Sequence, residues 1–240
     1  LTLGFLGNIY DGLVRRAGDL SLEPALATDW SATGPTTWRF NLRKNVSFHD
    51  GSAFSAADVV FSFQRASAKS SGVRAIIGSI RDVSAVGEHA VVITTGKPDP
   101  LLPQSIANWF IVSKAWADKN NASEAASPAQ KKEGYATNHA NGTGPFMLVS
   151  RDAGVKTVLK PFAGWWDKAD HNVTEAVFRP VKSAATRVAA LLSGELDLIY
   201  PVPVQDAGRV SNTSGFKMLT GTELRTIFVG MDVSRDELLH

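Results

Sequence analysis

The sequence contains no cysteine, which excludes disulfides, thiolate metal sites and a cysteine nucleophile. It also has no apolar run near the roughly 20 residues needed to span a bilayer as a helix. A large excess of one charge sign is missing as well. The 25 basic and 23 acidic residues are interspersed and leave a net charge of +2, so no basic stripe points to nucleic acid and no acidic tail to disorder. His49, His89, His139, His171 and His240 show no H-x-x-x-H or facial-triad spacing, which argues against a transition-metal site. Gly142-Thr143-Gly144 is too short for a phosphate loop and lacks its Lys-Ser/Thr. What remains is a chain of 240 residues, 44% of them hydrophobic, enough for one large domain or two small ones.

The pattern along the chain is a mixture of strands and helices. Trp38, Phe40 and Leu42 alternate with Arg39, Asn41 and Arg43, the period of a strand with one apolar face. Asp50-Gly51 has tight-turn chemistry, and Ser55-Ala-Ala-Asp58 opens a helix that carries Val59, Val60 and Phe63 as its stripe. Residues 80 to 95 read as two strands around Gly87-Glu88, followed by a short helix over Leu101–Ile106 with Pro103 in its first turn. Asn8 to Val14 reads as a short helix or turn, and Leu22 to Ala27 as a bend into Trp30. Residues 118 to 143 form a long polar loop in which Ser127-Pro128 would start a helix.

Beyond it, Phe146–Val149 and Val155–Leu159 flank a hairpin turn, and Val173–Val181 is a further strand. Ser183–Ser193 is a helix stopped by Gly194. Leu196–Tyr200 reads as a strand directly after that helix, so that strand, helix and strand make a βαβ crossover. The whole is α/β with long connections, suited to a two-part lobe.

Four segments in order carry a resemblance. Pro24 to Phe63 contains PALA, LRKNVSFHDG and FSAADVVFSF. Asn141–Phe146 reads NGTGPF, Phe162–Trp166 reads FAGWW, and Arg187–Asp197 reads RVAALLSGELD. The chain thereby resembles the extracytoplasmic solute-binding proteins of peptide- and nickel-type ABC transporters. In the third segment Phe162-Ala163-Gly164 and Trp165 depart from that family's Asn-Pro-Asp-Tyr.

The resemblance implies a mixed-sheet lobe of a type II periplasmic-binding-protein-like fold, in two subdomains, with the second lobe missing. Residues 1–24 and 145–232 would form the discontinuous core subdomain, 25–144 the inserted one, and 233–240 the start of the missing lobe, entered by a strand near Leu224–Asp232. It further implies a non-enzymatic periplasmic binding protein, with no cofactor and no metal. Such a protein takes a peptide or another small ligand, works with an ABC permease, binds no nucleic acid and is a monomer at full length. Metal-chelate, haem or opine-type ligands are the alternative within the family.

The ligand-binding candidates are Trp109, Asn108, Asn141, Gly142, Thr143 and Tyr10. Trp109 stands out because its loop faces the ligand in the family, although core packing explains it equally well. Residues 141–144 would offer exposed N–H groups to an extended peptide. Trp165-Trp166 would seal packing between the hairpin and the next strand. A hydrolase built on Glu195 and Asp197 or on His49 is the reading from another class. A surface turn accounts for His49-Asp50 better, since no nucleophile or orienting group lies nearby in sequence.

Overall fold

The computed structural model describes residues 5–125 and 134–221. The expected helix at Ser127-Pro128, the strand near Leu224–Asp232 and residues 233–240 lie outside the described residues.

The alternating stretch at 38–42 forms β4 (Thr37–Leu42), inner strand of an antiparallel sheet ordered β3-β4-β6-β5. Its companions are β3 (Ala27–Gly34), β5 (Ile80–Ala85) and β6 (Ala90–Thr95). Phe40 and Leu42 point inward with Val91 and Ile93 of β6 and Val83 of β5, all buried. Asn41, on the other face, donates from Nδ2 to Asp29 Oδ1 at 2.6 Å. The turn between β5 and β6 is made by Gly87 at φ 66°, as its sequence suggests. Helix α1 (Ala56–Ser67) packs its buried Ala56, Val59 and Ala66 against β5 and β6, in the same core as Phe40 and Ile93.

Before this sheet, β1 (Val14–Arg16) and β2 (Leu22–Pro24) form a small antiparallel hairpin. The segment expected to be only a bend is therefore strand β2 leading into β3, and Trp30 lies within β3, stacked on Phe40. Leu13 and Val14 belong to the core of the four-stranded sheet. After β6 come α2 (Leu102–Ser105), with Pro103 near its start, and a single 3-10 turn at Ile106–Asn108. Helix α3 (Lys114–Lys119) occupies a stretch with no obvious periodicity. Its signal is the cap, because Ser113 Oγ accepts the Trp116 N–H at 3.2 Å.

Downstream, β7 (Phe146–Asp152), β8 (Lys156–Pro161) and β9 (Ala176–Phe178) form a second antiparallel sheet, turned at Gly154 with φ 81°. Its core is small: Phe146 and Leu159 enclose Ile9, which arrives from the chain's beginning. Helix α4 (Ala184–Leu192) is capped by Ser183 and packs Val188 and Leu191 on Val210 of α5 (Ala207–Ser211).

Two expectations fail here. Only Ala176–Phe178 of the predicted strand 173–181 pairs, and Leu196–Tyr200 forms no strand, so the βαβ crossover is absent among the described residues. Among the described residues no strand lies beside Leu196–Tyr200, and Leu198 is 75% exposed.

Asp58 links two helix starts. Its Oδ2 accepts the Ser55 N–H at 2.9 Å and its Oδ1 accepts the Lys114 N–H at 2.9 Å. Burial raises its pKa, while those hydrogen bonds hold it down. Asp58→Ala should therefore destabilise the fold by about 2–3 kcal/mol, since it orphans N–H groups at both helices. Ser55→Ala should cost only on the order of 1 kcal/mol. Urea denaturation of both variants checks the order.

Candidate functional site

The site begins where three distant segments meet. Residues 141–144 cross between the two sheets and lie against Asn8–Tyr10 so closely that side chains have no room. A Cβ on Gly142 would sit 1.9 Å from the Ile9 carbonyl oxygen, and one on Gly144 would sit 2.6 Å from the Ile9 carbonyl carbon. The contact is stitched by main-chain bonds, Gly144 N–H to Ile9 O and Phe146 N–H to Asn8 O, each 2.9 Å. Here glycine is required by proximity.

The turn at 48–52 closes over the other side of the crossing. His49 N–H donates to Gly142 O at 2.9 Å, and Asp50 N–H donates to Asn141 Oδ1 at 3.0 Å. The ring of His49 spends both nitrogens on the crossing. Nδ1 accepts the Gly142 N–H at 3.3 Å, so Nε2 carries the proton and donates to Gly144 O at 3.0 Å. The ring also meets Phe162 edge to face at 4.9 Å. The surface-turn reading of His49 is thus corrected: the Asp50-Gly51 turn is real, with Gly51 at φ 84°, but the histidine is half-buried and fastens the crossing.

Asp11 anchors the opposite flank. Its Oδ2 accepts Thr143 Oγ1–H at 2.9 Å and Trp166 Nε1–H at 2.8 Å. Burial raises the Asp11 pKa, and the two donors and Arg15 oppose that rise. Trp166 in turn lies under the Arg43 guanidinium, 4.3 Å from the ring centroid. It therefore ties the loop after β8 to the first core instead of packing the hairpin on its own strand.

Beside the crossing opens a recess of about 210 Å³, lined among others by Tyr10, Arg65, Asn108, Trp109, Phe110 and Trp116. Tyr10 reaches both places, because its Cδ1 would stand 2.9 Å from a Cβ on Gly142. Burial pushes its phenol up to about 12, with Arg65 nearby pulling the other way.

The six predicted residues thus divide. Tyr10, Asn108 and Trp109 line the recess. Asn141, Gly142 and Thr143 lie buried in the crossing. Trp109 is 1% exposed and belongs to the first core, edge-on to Phe63, so truncating it would hollow that core. Nor does residue 142 or 144 present an open N–H for a peptide strand, because both donors are already bonded internally.

Arg65, Trp116, Asp11 and His49 were not singled out as binding residues. Arg65 had a legible signal: it sits three and four positions after Ser62 and Phe61, on the buried side of α1.

Glu195 is exposed and faces Arg179 at 3.7 Å, while His49 has both ring nitrogens committed to backbone groups. Neither holds the arrangement of a hydrolytic base. Among the described residues no group of three or more His, Asp or Glu is placed to hold a metal, and no helix is long and apolar enough to cross a membrane.

Residues 21–239 match the family model described as bacterial extracellular solute-binding proteins, family 5, middle region. The chain belongs to this family. It is 25% identical over 233 residues to the glutathione-binding protein GsiB of Escherichia coli O1:K1, covering 95% of this chain and 43% of that protein. Among solved structures it is similar to the binding protein AgaA of A. tumefaciens R10 in complex with agropinic acid, at TM-score 0.76 and 27% identity. That match covers 88% of this chain and 42% of the other. The periplasmic binding protein DppA of Helicobacter pylori, in complex with the peptide STSA, matches at TM-score 0.73 and 27% identity, covering 87% and 44%. The chain spans less than half the length of these relatives. The fold is that of a type II periplasmic binding protein lobe, and the relatives named above are binding proteins.

Burial holds the His49 pKa below its ordinary value, against the Gly144 carbonyl and Asp50, which favour the proton. A histidine depressed in the fold contributes stability that is complete above the unfolded value of about 6.5 and is lost as pH falls below it. Protonation also sets a second N–H against the Gly142 N–H. The stability difference between wild type and His49→Asn should therefore shrink as pH drops from 7.5 toward 5. Buried Asp11 and Asp58 are common to both proteins and cancel in the difference. Parallel pH profiles of the two urea midpoints would refute the fastening role.

Proposed function

We propose that this chain is part of the substrate-binding component of an ABC importer, which binds peptides outside the cytoplasmic membrane and delivers them to the membrane permease. The observation that carries the reading is the recess beside the crossing, walled by Tyr10, Trp109, Phe110 and Trp116. Aromatic walls with a few polar groups suit a peptide's mixed surface. At 210 Å³ the recess is smaller than the ~300–1,000 Å³ usual for a whole ligand, as expected of one wall of a cleft closed from the other side. Hinge closure of two lobes around the ligand then gives the permease a distinct state to recognise.

In this reading residues 1–24 and 145–232 form a core subdomain and 25–144 an inserted one, with residues 13–24 packed on the insert. Tyr10, Asn108 and Trp109 would contact ligand through the recess. Asn141, Gly142 and Thr143 would act by holding its edge. The protein would be periplasmic and, at full length, monomeric.

A second reading, an opine or metal chelate in the same place, is favoured by the similarity to the agropinic acid-binding AgaA. Thermal unfolding of the full-length protein with tri-alanine, Ser-Thr-Ser-Ala, glutathione, agropinic acid and nickel–histidine separates the two. A ligand at a hundred times its Kd stabilises by about 2.7 kcal/mol. Peptide stabilisation supports the first reading; stabilisation by agropinic acid or nickel–histidine alone replaces it with the second.

A further inference from the structure

The recess is unusual in which polar groups it holds. Trp109 is 1% exposed, yet its indole Nε1–H has no acceptor among the described residues. Arg65 is half-buried and, among the described residues, donates from Nε alone, to Ala122 O at 3.1 Å. No carboxylate pairs with it among the described residues, and its one charge-coupled neighbour is the Tyr10 phenol. Asn108 adds an exposed amide, and among the described residues no acidic side chain lines the space. The hydroxyl of Ser62, which also lines it, is already engaged with Val112, accepting its N–H at 2.8 Å and donating to its carbonyl at 3.3 Å. Among the described residues the recess therefore holds one cation and no carboxylate to pair with it.

A half-buried guanidinium without a carboxylate partner, in a recess also lined by a tryptophan whose buried indole N–H lacks an acceptor among the described residues, is a poor arrangement for an apolar core and a good one for a ligand anion. The planar fork of arginine pairs with a carboxylate through two parallel bonds. At about 210 Å³ the space admits a carboxylate and the group bearing it, not a whole peptide.

We infer that the recess receives a carboxylate end of the ligand, with Arg65 as its charge partner and the Trp109 indole as a second donor. The inference rests on the ligand-binding reading above and narrows it to ligands that can present a carboxylate to this lobe. Tyr10 and Trp116 wall the group in, and Arg65 acts as the specificity-determining residue.

The test follows the indole N–H signals of the full-length protein by NMR, with Trp109 identified by its loss in Trp109→Phe. The probes are sodium acetate, acetamide, inorganic phosphate and sodium chloride at equal ionic strength, then tri-alanine and tri-alanine amide. Acetate should move the Trp109 signal saturably, acetamide and chloride should not, and Arg65→Gln should weaken the acetate response at least tenfold. Tri-alanine should bind at least tenfold more tightly than its amide in wild type, and about equally in Arg65→Gln.

An unmoved Trp109 signal, an equal response in Arg65→Gln, or a stronger response to phosphate than to acetate would overturn the assignment. Should Arg65→Gln fail to fold, Arg65→Lys and the wild-type comparison of acetate with acetamide decide the matter. Peptide and amide binding alike would sink the carboxylate recess and leave the peptide reading standing. An acetate response without peptide binding would do the reverse.

Discussion

Two glycines pressed against one carbonyl set the geometry of this protein. The backbone at 142–144 touches Ile9 so closely that any side chain would collide with main-chain atoms, and main-chain atoms of two paired segments cannot swing aside as a flexible side chain can. That contact joins the first core, built on the four-stranded sheet, to the small second core at Phe146 and Leu159. His49 and Asp11 then close on the crossing from either side, one through its ring nitrogens and the other through Thr143. Each supplies a buried polar partner that would be costly to leave unmet.

The same joint positions the recess. Ile9 is fixed by Gly144, so Tyr10 is fixed beside it. Asp11 O accepts the Ile111 N–H at 2.9 Å, and Gly12 bridges Phe110, which brings the loop carrying Asn108 and Trp109 alongside. On its far side α1 delivers Arg65 and α3 delivers Trp116. The wall of the recess is thus assembled from the stretch at Tyr10, helix α1, the loop at 108–110 and helix α3, each held by packed elements. Rigid support of this kind lets a ligand meet a preformed surface and lowers the cost of ordering it.

Much of the local structure was legible in the sequence. The alternation at 38–42, the glycines at 51, 87 and 154, and the Ser55 and Ser183 caps each act through contacts within a few residues, so a sequence window contains their cause. The overall family assignment was legible too, through four motifs in order. What was not legible depends on distant partners. His49 looked like an ordinary turn residue because its two acceptor and donor partners lie more than ninety positions away. Leu196–Tyr200 has strand alternation, but a strand needs a paired neighbour, and the described residues place none beside it. Trp109 read equally well as cleft or core, and nothing local says that its ring is 1% exposed and packed against Phe63. Arg65 was the more readable omission, a cation on a helix face otherwise occupied by Phe61, Ser62 and Ala66.

The central claim is that residues 8–12, 48–50 and 141–146 form one cooperative joint. Native-state hydrogen exchange of the full-length protein tests it most directly, because amides in one cooperative unit open together. The account predicts that the amides of His49, Gly142, Gly144 and Phe146 are strongly protected and share one opening free energy close to that of β4. Rapid exchange at Gly142 and Gly144, while β4 and β7 stay protected, would show that the crossing opens on its own and contradict the account.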